Sequence, residues 1–249
     1  MRAIAITNQK GGSGKTTSAV NIAAALGRSH RVLVIDFDPQ ANATAWLGIK
    51  DGGSGLLEAL TDGRPLAELA TPTETPGVEI VPASAWLRRA EKSLASEPGA
   101  ETIFRRALLK LPRRWDVVLV DCSPWLGLLT ISALTACSEL LVPVEASTMA
   151  TEGLAALTQT VDKVREGLNP ALKTIGILPF RVDERRRVDC EVVESLRRHF
   201  GRQVLKSVIH ESARLREAHS HAKAVEQYAP TSRAAKEFRS VAAELSRRN

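Results

Sequence analysis

Nine residues near the N-terminus decide the fold: residues 9–17 read QKGGSGKTT. They follow an apolar run at Arg2–Thr7 and open a run rich in Ala and Ile, Lys15–Leu26, whose apolar residues have helical spacing. A glycine-rich turn between a strand and a helix is the setting of a phosphate-binding loop. Its glycines let backbone N–H groups turn toward phosphate oxygens, and the helix N-terminus adds a partial positive charge. The stretch therefore predicts a nucleotide site.

Lys15 and Thr16 are the chemically important residues of this loop. In a loop of this kind the lysine reaches the β- and γ-phosphates and the hydroxyl binds Mg²⁺. The usual pattern, G-x-x-x-x-G-K-[ST], has glycine where this chain has Gln9, and Lys10 is an additional lysine. The alternative is a glycine-rich turn with a chance lysine, which the flanking strand and helix disfavour. The predicted nucleotide-binding residues of the loop are Lys10, Gly11, Gly12, Ser13, Gly14, Lys15, Thr16 and Thr17.

The rest of the chain alternates β-branched runs with helical patterns. The predicted further strands are Arg31–Ile35, Val78–Val81, Val117–Val120, Glu139–Val144, Thr174–Leu178 and Gln203–Val208. The predicted further helices are Glu101–Leu111, Thr151–Gly167, Arg187–Phe200 and Ser232–Arg248. This alternation indicates an α/β fold: one P-loop NTPase domain over residues 1–249, with a mainly parallel twisted sheet and helices on both faces. We expect the Gly-rich stretch 50–77 to be an elaborated connection within that domain.

Two of the predicted strands end in carboxylates. Asp36 and Asp38 follow the run VLVI, and Asp121 follows the run VVLV. Because ligands of parallel sheets collect at the carboxyl ends of strands, we expect all three side chains near the phosphates. The second strand reads as a Walker B segment, in which Asp121 holds Mg²⁺ through water. The alternative for Asp36 and Asp38 is that they cap the following turn.

The composition excludes several classes of protein. Hydrophobic residues make up 44% of the 249 residues and charged residues 25%, values that argue against a mainly disordered chain. No apolar run approaches the roughly 20 residues of a membrane span, and the N-terminus turns polar too early for a signal peptide. Cys122, Cys137 and Cys190 are scattered without metal-ligand spacing, which suits a reducing compartment, and we expect Cys122 to be a packed residue rather than a nucleophile.

The positive charge is concentrated in the last part of the chain. Residues 1–180 contain 18 basic and 18 acidic residues, whereas residues 181–249 contain 16 basic and 10 acidic. A basic end on a neutral body indicates a polyanionic partner, nucleic acid first and an anionic membrane surface second. The alternative is an Arg-rich helical surface that is simply solvated.

The loop K-G-G-x-G-K-T-T resembles the deviant Walker A loop of the ParA/MinD superfamily of ATPases. The resemblance to small partition ATPases of the ParA/Soj type covers nearly the whole chain. It implies that Lys10 crosses a dimer interface to the partner's nucleotide, and that Asp38, in the D-x-D-P-Q segment 36–40, positions the attacking water and touches the metal shell. The implied catalytic residues are Lys10, Lys15 and Asp38, and the implied metal-site residues are Thr16, Asp36, Asp38 and Asp121. Ser123 departs from the family's D-x-P-P, and segments 143–147 and 151–154 resemble a part that lies by the dimer face in that family.

The nucleotide base is expected to be adenine. No N-K-x-D or T-K-x-D guanine-reading motif occurs, and the resemblance supports ATP. We expect the base to lie against Phe180 and Arg181 and against His210 and Glu211 of the loop 209–212. That loop reads I-H-E-S in place of the family's I-P-R-N.

The resemblance also implies contacts with DNA phosphates. The positions that match DNA-contacting arginines of ParA-type proteins are Arg185 and Arg214, and four nearby cations extend the charge: Arg186, Arg187, Arg216 and Lys223. Such contacts are independent of base sequence and depend strongly on salt. Glu211 replaces a basic residue of the family form, which we expect to weaken this basic surface.

The implied function is that of a DNA-segregation ATPase with weak intrinsic activity. ATP and Mg²⁺ would induce a sandwich homodimer that binds double-stranded DNA non-specifically, and a ParB-type, centromere-binding partner would stimulate the hydrolysis that releases it. The expected localisation is cytoplasmic and nucleoid-associated, without stable membrane association. No operator-binding helix-turn-helix arm is expected, because the loop starts at residue 10. Three kinds of cargo remain open: a chromosome, a plasmid and a protein assembly.

Two other classes of ATPase are weighed against this one. A MinD-like membrane-cycling ATPase needs a C-terminal amphipathic helix with bulky apolar residues. The tail offers only Phe238, Val241 and Leu245, a stripe that better suits docking on the core. A metabolic ATPase with a metal or cluster at its interface needs paired cysteines, and Cys122 and Cys137 do not form such a motif.

Overall fold

The computed structural model of the protein describes residues 1–147 and 150–248, without the side chains of residues 150–152. Its sheet has eight strands in the order β3-β4-β2-β5-β1-β6-β7-β8. Among the strand pairs of the described residues, only β3–β4 is antiparallel. The strands are β1 Arg2–Ile6, β2 Val32–Phe37, β3 Thr71–Pro72, β4 Val78–Val81, β5 Val117–Cys122, β6 Glu139–Glu145, β7 Lys173–Val182 and β8 Ile209–His210. The predicted mainly parallel α/β sheet is confirmed.

Helices cover both faces of this sheet. They are α1 Lys15–Gly27, α2 Asn42–Trp46, α3 Leu56–Thr61, α4 Leu66–Leu69, α5 Leu87–Leu94, α6 Ile103–Leu109, α7 Leu128–Ala136, α8 Ala150–Gly167, α9 Arg187–Phe200, α10 Ala213–Ser220, α11 Val225–Tyr228 and α12 Arg233–Arg247. Successive residues of a strand point to opposite faces. Accordingly Ile4 and Ile6 of β1 join the core under α1 and α12, and Ala3 and Ala5 join the core under α3 and α5 to α8.

The C-terminal helix belongs to this core. Phe238, Val241 and Leu245 of α12 are buried in the same cluster as the apolar face of α1. The expected docking of this stripe on the core is confirmed, so α12 does not present an apolar stripe to a membrane surface. Among the described residues, no helix combines the length and the apolar character that crossing a membrane requires.

The predicted strand at Gln203–Val208 is wrong. The chain makes a 3₁₀ turn at Gly201–Gln203, and Val204 forms a single bridge with Ile177 before β8 begins at Ile209. The backbone N–H groups of Lys206 and Ser207 donate to the Glu244 carboxylate of α12, both at 2.9 Å. A side chain from a distant helix thus takes the hydrogen bonds that a strand would have made.

Other differences concern short elements. The predicted helix Glu101–Leu111 is a 3₁₀ turn at Ala100–Thr102 followed by α6, which ends at Leu109. The loose stretch 50–77 contains α3, α4 and β3. Among the described residues, seven short helices escaped the sequence analysis because their apolar spacing is brief or uniform: α2, α3, α4, α5, α7, α10 and α11.

Candidate nucleotide site

The loop between β1 and α1 has the backbone that phosphate binding requires. Gly12 and Gly14 have φ angles of +74° and +91°, a region that favours glycine. A Cβ atom on Gly14 would lie 2.5 Å from the ring of Phe180, so only glycine fits this close approach. Asn8, which sequence reasoning missed, anchors the loop: its side chain donates to the Pro143 carbonyl at 2.7 Å and accepts from the Lys10 N–H at 3.1 Å.

Lys15 lies inside the loop that precedes it. Its residue is 7% exposed, and its ammonium donates to the Lys10 carbonyl at 3.1 Å. Burial lowers the pKa of this ammonium, and the nearby Asp121 and Asp38 carboxylates oppose that shift. A buried cation that curls over a glycine loop is placed to meet phosphate oxygens.

Asp36 and Asp121 are direct neighbours on adjacent strands but have different surroundings. Asp36 accepts from the Thr44 N–H at 2.8 Å, from the Thr44 hydroxyl at 2.7 Å and from the Asp38 N–H at 3.1 Å. Both carboxylate oxygens of Asp121 are buried and have no hydrogen-bond partner among the described residues. Burial and then the Asp36 charge raise the pKa of Asp121 well above its usual range, while Thr16 and Lys15 lower it. Thr44 was not found from the sequence, since no pattern links it to Asp36.

The residues around Asp121 fit a magnesium ion. Mg²⁺ in nucleotide sites usually has one or two protein oxygens and completes its shell with phosphates and water. Among the described residues no group of three His, Cys, Asp or Glu side chains forms an all-protein cage. Thr16 and the neighbouring Asp121 supply the expected hard oxygens. Asp38 accepts from the Gln40 N–H at 2.9 Å and lines a second cavity, also of about 310 Å³, with Ser123.

A cavity of about 310 Å³ lies beside the loop. It brings the four predicted base-contacting residues, Phe180, Arg181, His210 and Glu211, together with Thr16 and Thr17. Trp46 and His219, which the sequence did not point to, form an aromatic wall with ring centroids 4.5 Å apart. Arg181 has a φ of +56°, unusual for a residue with a side chain. Apolar walls with a few polar groups suit a planar base.

Lys10 occupies a different place from Lys15. Its ammonium donates to Glu145 at 2.7 Å and to Ser147 at 3.0 Å, and its side chain is 42% exposed. Burial raises the pKa of Glu145, but Lys10 and Arg181 together outweigh this and lower it. Of the predicted interface segments 143–147 and 151–154, the side chains of residues 151 and 152 lie outside the described part of the chain.

Lys10 is the first member of a chain of ion pairs. Glu145 also pairs with Arg181 at 3.0 Å, Arg181 lies 3.8 Å from Glu211, and Glu211 pairs with Arg216 at 2.7 Å. The chain of charges runs from the loop, across the candidate base cavity, to α10. We call this set of five residues the ion-pair chain.

The predicted DNA-binding residues lie near the same edge of the sheet. Arg185, Arg186 and Arg187 lie in the β7–α9 connection and at the start of α9, and Glu184 beside them meets His210 at 2.9 Å. Each predicted arginine has an acidic partner: Arg185 and Arg186 share Asp183, and the other pairs are Arg187–Glu191, Arg214–Glu217 and Arg216–Glu211. Lys223 follows α10 and is exposed. Sequence reasoning found these cations, but it did not find the acidic side chains that pair with them.

Two of the three cysteines, Cys122 and Cys137, are not accessible at the protein surface, whereas Cys190 is partly exposed. Cys122 and Cys137 are buried and free, and burial, then the neighbouring thiol, raises the pKa of Cys122 well above its usual range. The expected packed role of Cys122 is confirmed. A buried thiol does not suit a metal or cluster shared at a protein surface.

The sheet, the glycine loop and the strand-end carboxylates define a P-loop ATPase. Residues 1–174 match the family described as "AAA domain". The chain is 44% identical over 246 residues to the chromosome-partitioning ATPase Soj of Thermus thermophilus, covering 98% of this chain and 95% of the relative. It is 41% identical over 251 residues to the chromosome partitioning protein ParA of Myxococcus xanthus, covering 100% of this chain and 89% of the relative. The chain therefore belongs to the ParA/Soj family of chromosome-partitioning ATPases, as its loop predicted.

A solved structure of similar fold holds a nucleotide. Cobyrinic acid a,c-diamide synthase from Mycobacterium smegmatis, with bound ATP analog and magnesium, superposes with a TM-score of 0.88 at 32% identity. The alignment covers 99% of this chain and 94% of that chain. Similar folds therefore carry different reactions, and the partition assignment comes from the ParA and Soj relatives.

Proposed function

We propose that this ATPase is a nucleotide-dependent DNA clamp: ATP and Mg²⁺ close two copies face to face, the closed homodimer holds DNA without base specificity, and hydrolysis opens it. The observation that carries the proposal is the second lysine of the loop. Lys15 is buried behind the phosphate site, whereas Lys10 is half-exposed and points to Glu145 and Ser147. A cation held outside its own phosphate site is available for the phosphates of another copy, where it would offset transition-state charge.

Each residue of the site has one role in this proposal. Lys15 and the N–H groups of Gly11 to Thr17 hold the phosphates. Thr16 and Asp121 hold Mg²⁺, which neutralises phosphate charge, and Asp38 orients the attacking water. Asp36 remains a predicted metal-site residue, but its three accepted hydrogen bonds favour a role in fixing the turn that carries Asp38 and Thr44. The cavity beside Phe180 takes adenine.

DNA would bind through the predicted arginines. Arg185, Arg186 and Arg187 and the α10 residues Arg214 and Arg216 are exposed, and Lys223 extends them. Because every one of these arginines already pairs with a carboxylate, phosphates must displace acids to bind, so we expect modest affinity in one copy and useful affinity only when a dimer doubles the contacts. The ParA and Soj names of the relatives support a partner of the ParB type, bound to a centromere, that stimulates hydrolysis.

Gel filtration and DNA retention, each with ATP, ADP or no nucleotide across a salt series, test this proposal. We expect dimer formation and an increase in retention only with ATP. Lys15→Ala should remove both, Asp38→Ala should trap a DNA-bound dimer, and Arg214→Ala should dimerise normally but lose the ATP-dependent increase. DNA retention that does not increase with ATP, or an ATP-saturated monomer, would overturn the proposal.

A further inference from the structure

A groove of about 960 Å³ lies at the edge of the sheet where the parallel strands begin, opposite the nucleotide site. Helix α9 starts just after the carboxyl end of β7 and leads back toward this edge, because β8 is parallel to β7. Helix α12 also ends there, since its Leu245 carbonyl accepts from Arg2 at the start of β1, at 3.0 Å. The groove is lined by four cations, Arg197, Arg202, Lys206 and Arg248, and we call it the basal groove.

In the described part of the chain, the lining of the basal groove contains no carboxylate, and the nearby Glu244 is already engaged by Arg248 and by two backbone N–H groups. Among the described residues, Arg197, Arg202 and Lys206 form no ion pair, and only Arg248 has an acidic partner, Glu244 at 2.9 Å. Cations at the last turn of a helix complement its dipole, which accounts for Arg197. It does not account for Arg202 and Lys206, which lie beyond the end of α9. The groove therefore has positive charge that the protein itself does not compensate.

The floor of the basal groove is held by hydrogen bonds. Glu244 accepts from the N–H groups of Lys206 and Ser207, and Arg248 donates to the carbonyls of Ile175 at 2.9 Å and Val204 at 3.3 Å. These bonds tie the end of α12 to the segment that precedes β8. The backbone that carries Arg202 and Lys206 is fixed before any ligand binds, which lowers the entropic cost of binding.

We propose that the basal groove is a second site for the phosphodiester backbone of double-stranded DNA, and that it acts whatever nucleotide is bound. The groove lies across the sheet from Lys10 and Lys15, so its cations do not depend on dimer closure. A single phosphate does not fill a volume about three times that of the nucleotide cavity, whereas a DNA backbone supplies a row of phosphates. A released monomer would then stay loosely on DNA after hydrolysis.

A membrane is the less suitable occupant. Binding at a lipid interface adds buried apolar side chains to the attraction of charges. The exposed large apolar residues of the described chain are Met1, Trp86, Leu109, Trp125 and Val188, and none of them lines the groove. Duplex DNA needs only the cations, because its affinity comes mainly from phosphate contacts and released counterions.

The test compares two variants that lose the same charge. The groove variant carries Arg197→Gln, Arg202→Gln and Lys206→Gln. The control carries Lys92→Gln, Arg106→Gln and Lys163→Gln, three exposed cations of α5, α6 and α8 outside both DNA surfaces. Binding to a labelled 30-base-pair duplex is measured by anisotropy with ADP and with a non-hydrolysable ATP analogue, across a salt series. Thermal unfolding checks that both variants are folded.

We expect weak binding of the unmodified protein with ADP at low salt. The groove variant should lose about tenfold of this affinity, and the slope of log K against log salt should become shallower by roughly two to three, because each phosphate contact contributes about −0.9. The control should change less than about threefold. ATP hydrolysis and the ATP-dependent dimer should be unchanged in the groove variant.

Several results would overturn the proposal that the basal groove binds DNA. Undetectable ADP-state binding by the unmodified protein, equal losses in the groove variant and the control, or groove-dependent sedimentation of phosphatidylglycerol vesicles without DNA binding would each do so. If the triple variant unfolds, Lys206→Gln alone, an exposed change, must still reduce ADP-state binding by about twofold. Failure of the DNA-clamp proposal would give a different result: DNA retention would still increase with ATP in the Arg214→Ala variant.

Discussion

The two edges of the sheet carry their charges in opposite ways. At the edge where the strands end, exposed arginines are compensated one by one, as in the Arg185–Asp183 pair, and the buried Asp121 has no hydrogen-bond partner in the described part of the chain. At the edge where the strands begin, Arg202 and Lys206 are exposed and form no ion pair with any residue that the structure describes. A count of basic residues does not separate these cases. Pairing with acidic side chains does separate them, because a paired cation must lose its carboxylate partner before it can bind a phosphate.

The largest expected effect concerns the lysine of the loop. Lys15→Ala should lower ATP affinity by about 100-fold or more, since it removes the buried cation that would make charge-assisted bonds to the phosphates. Titration with a fluorescent ATP analogue measures this. Lys206→Gln is the matched control at the other edge and should leave ATP affinity unchanged. Equal losses in both variants would contradict the functional separation of the two edges.

The next effect separates two neighbouring carboxylates. Asp121→Asn should stabilise the nucleotide-free protein by about 1–3 kcal/mol, because it removes a carboxyl group whose charged form burial disfavours and whose oxygens have no hydrogen-bond partner among the described residues. Asp36→Asn should destabilise it by a similar amount, because Asp36 accepts three hydrogen bonds. Urea unfolding without nucleotide gives both values. Shifts of the same sign would contradict the contrast.

A smaller effect tests compensation itself. Glu211→Gln releases Arg216 and loosens Arg181, so DNA affinity with ATP should rise by about threefold as one more phosphate contact forms. Anisotropy at several salt concentrations measures it, and a steeper salt slope is expected. Glu58→Gln, which releases Arg64 outside both DNA surfaces, is the control. An unchanged affinity for the Glu211 variant would mean that pairing does not limit this face.

The smallest expected effect is at the start of the ion-pair chain. Glu145→Gln weakens the hold on Lys10, so the ATP concentration that gives half-maximal dimer should fall by about twofold, the size expected for an exposed ion pair. Light scattering over an ATP titration measures it. Ser147→Ala, which removes only a neutral acceptor of Lys10, should shift it less. If the Glu145 variant needs more ATP to form the dimer, the prediction is contradicted, and the Lys10–Glu145 ion pair assists dimer formation.

Much of the fold could be predicted because its signals are local. The runs VLVI and VVLV become β2 and β5, and the pattern at 187–200 becomes α9 with the predicted bounds. The 203–208 stretch failed because Glu244, far along the chain, supplies its hydrogen bonds. Short helices such as α2 and α10 gave too few turns for a periodic signal.

The residues of the candidate site also fall into two groups, those that the sequence predicts and those that it does not. The residues of the loop, Asp38 and Asp121 could be predicted because short motifs and strand ends fix their place in a parallel sheet. Asn8, Thr44 and Trp46 could not, because each acts on a residue brought near it only by folding.

The sequence by itself determined the chemistry: a glycine loop with two lysines, acids at strand ends and a basic last third, because composition and spacing carry those directly. Tertiary structure alone decided which charges are compensated. It placed Asp183 against Arg185 and Glu145 against Lys10, and it left Arg202 and Lys206 at the opposite edge without an acidic partner among the described residues. The physical reason is that electrostatic energy depends on distance and burial between residues, and neither quantity can be read from their order along the chain.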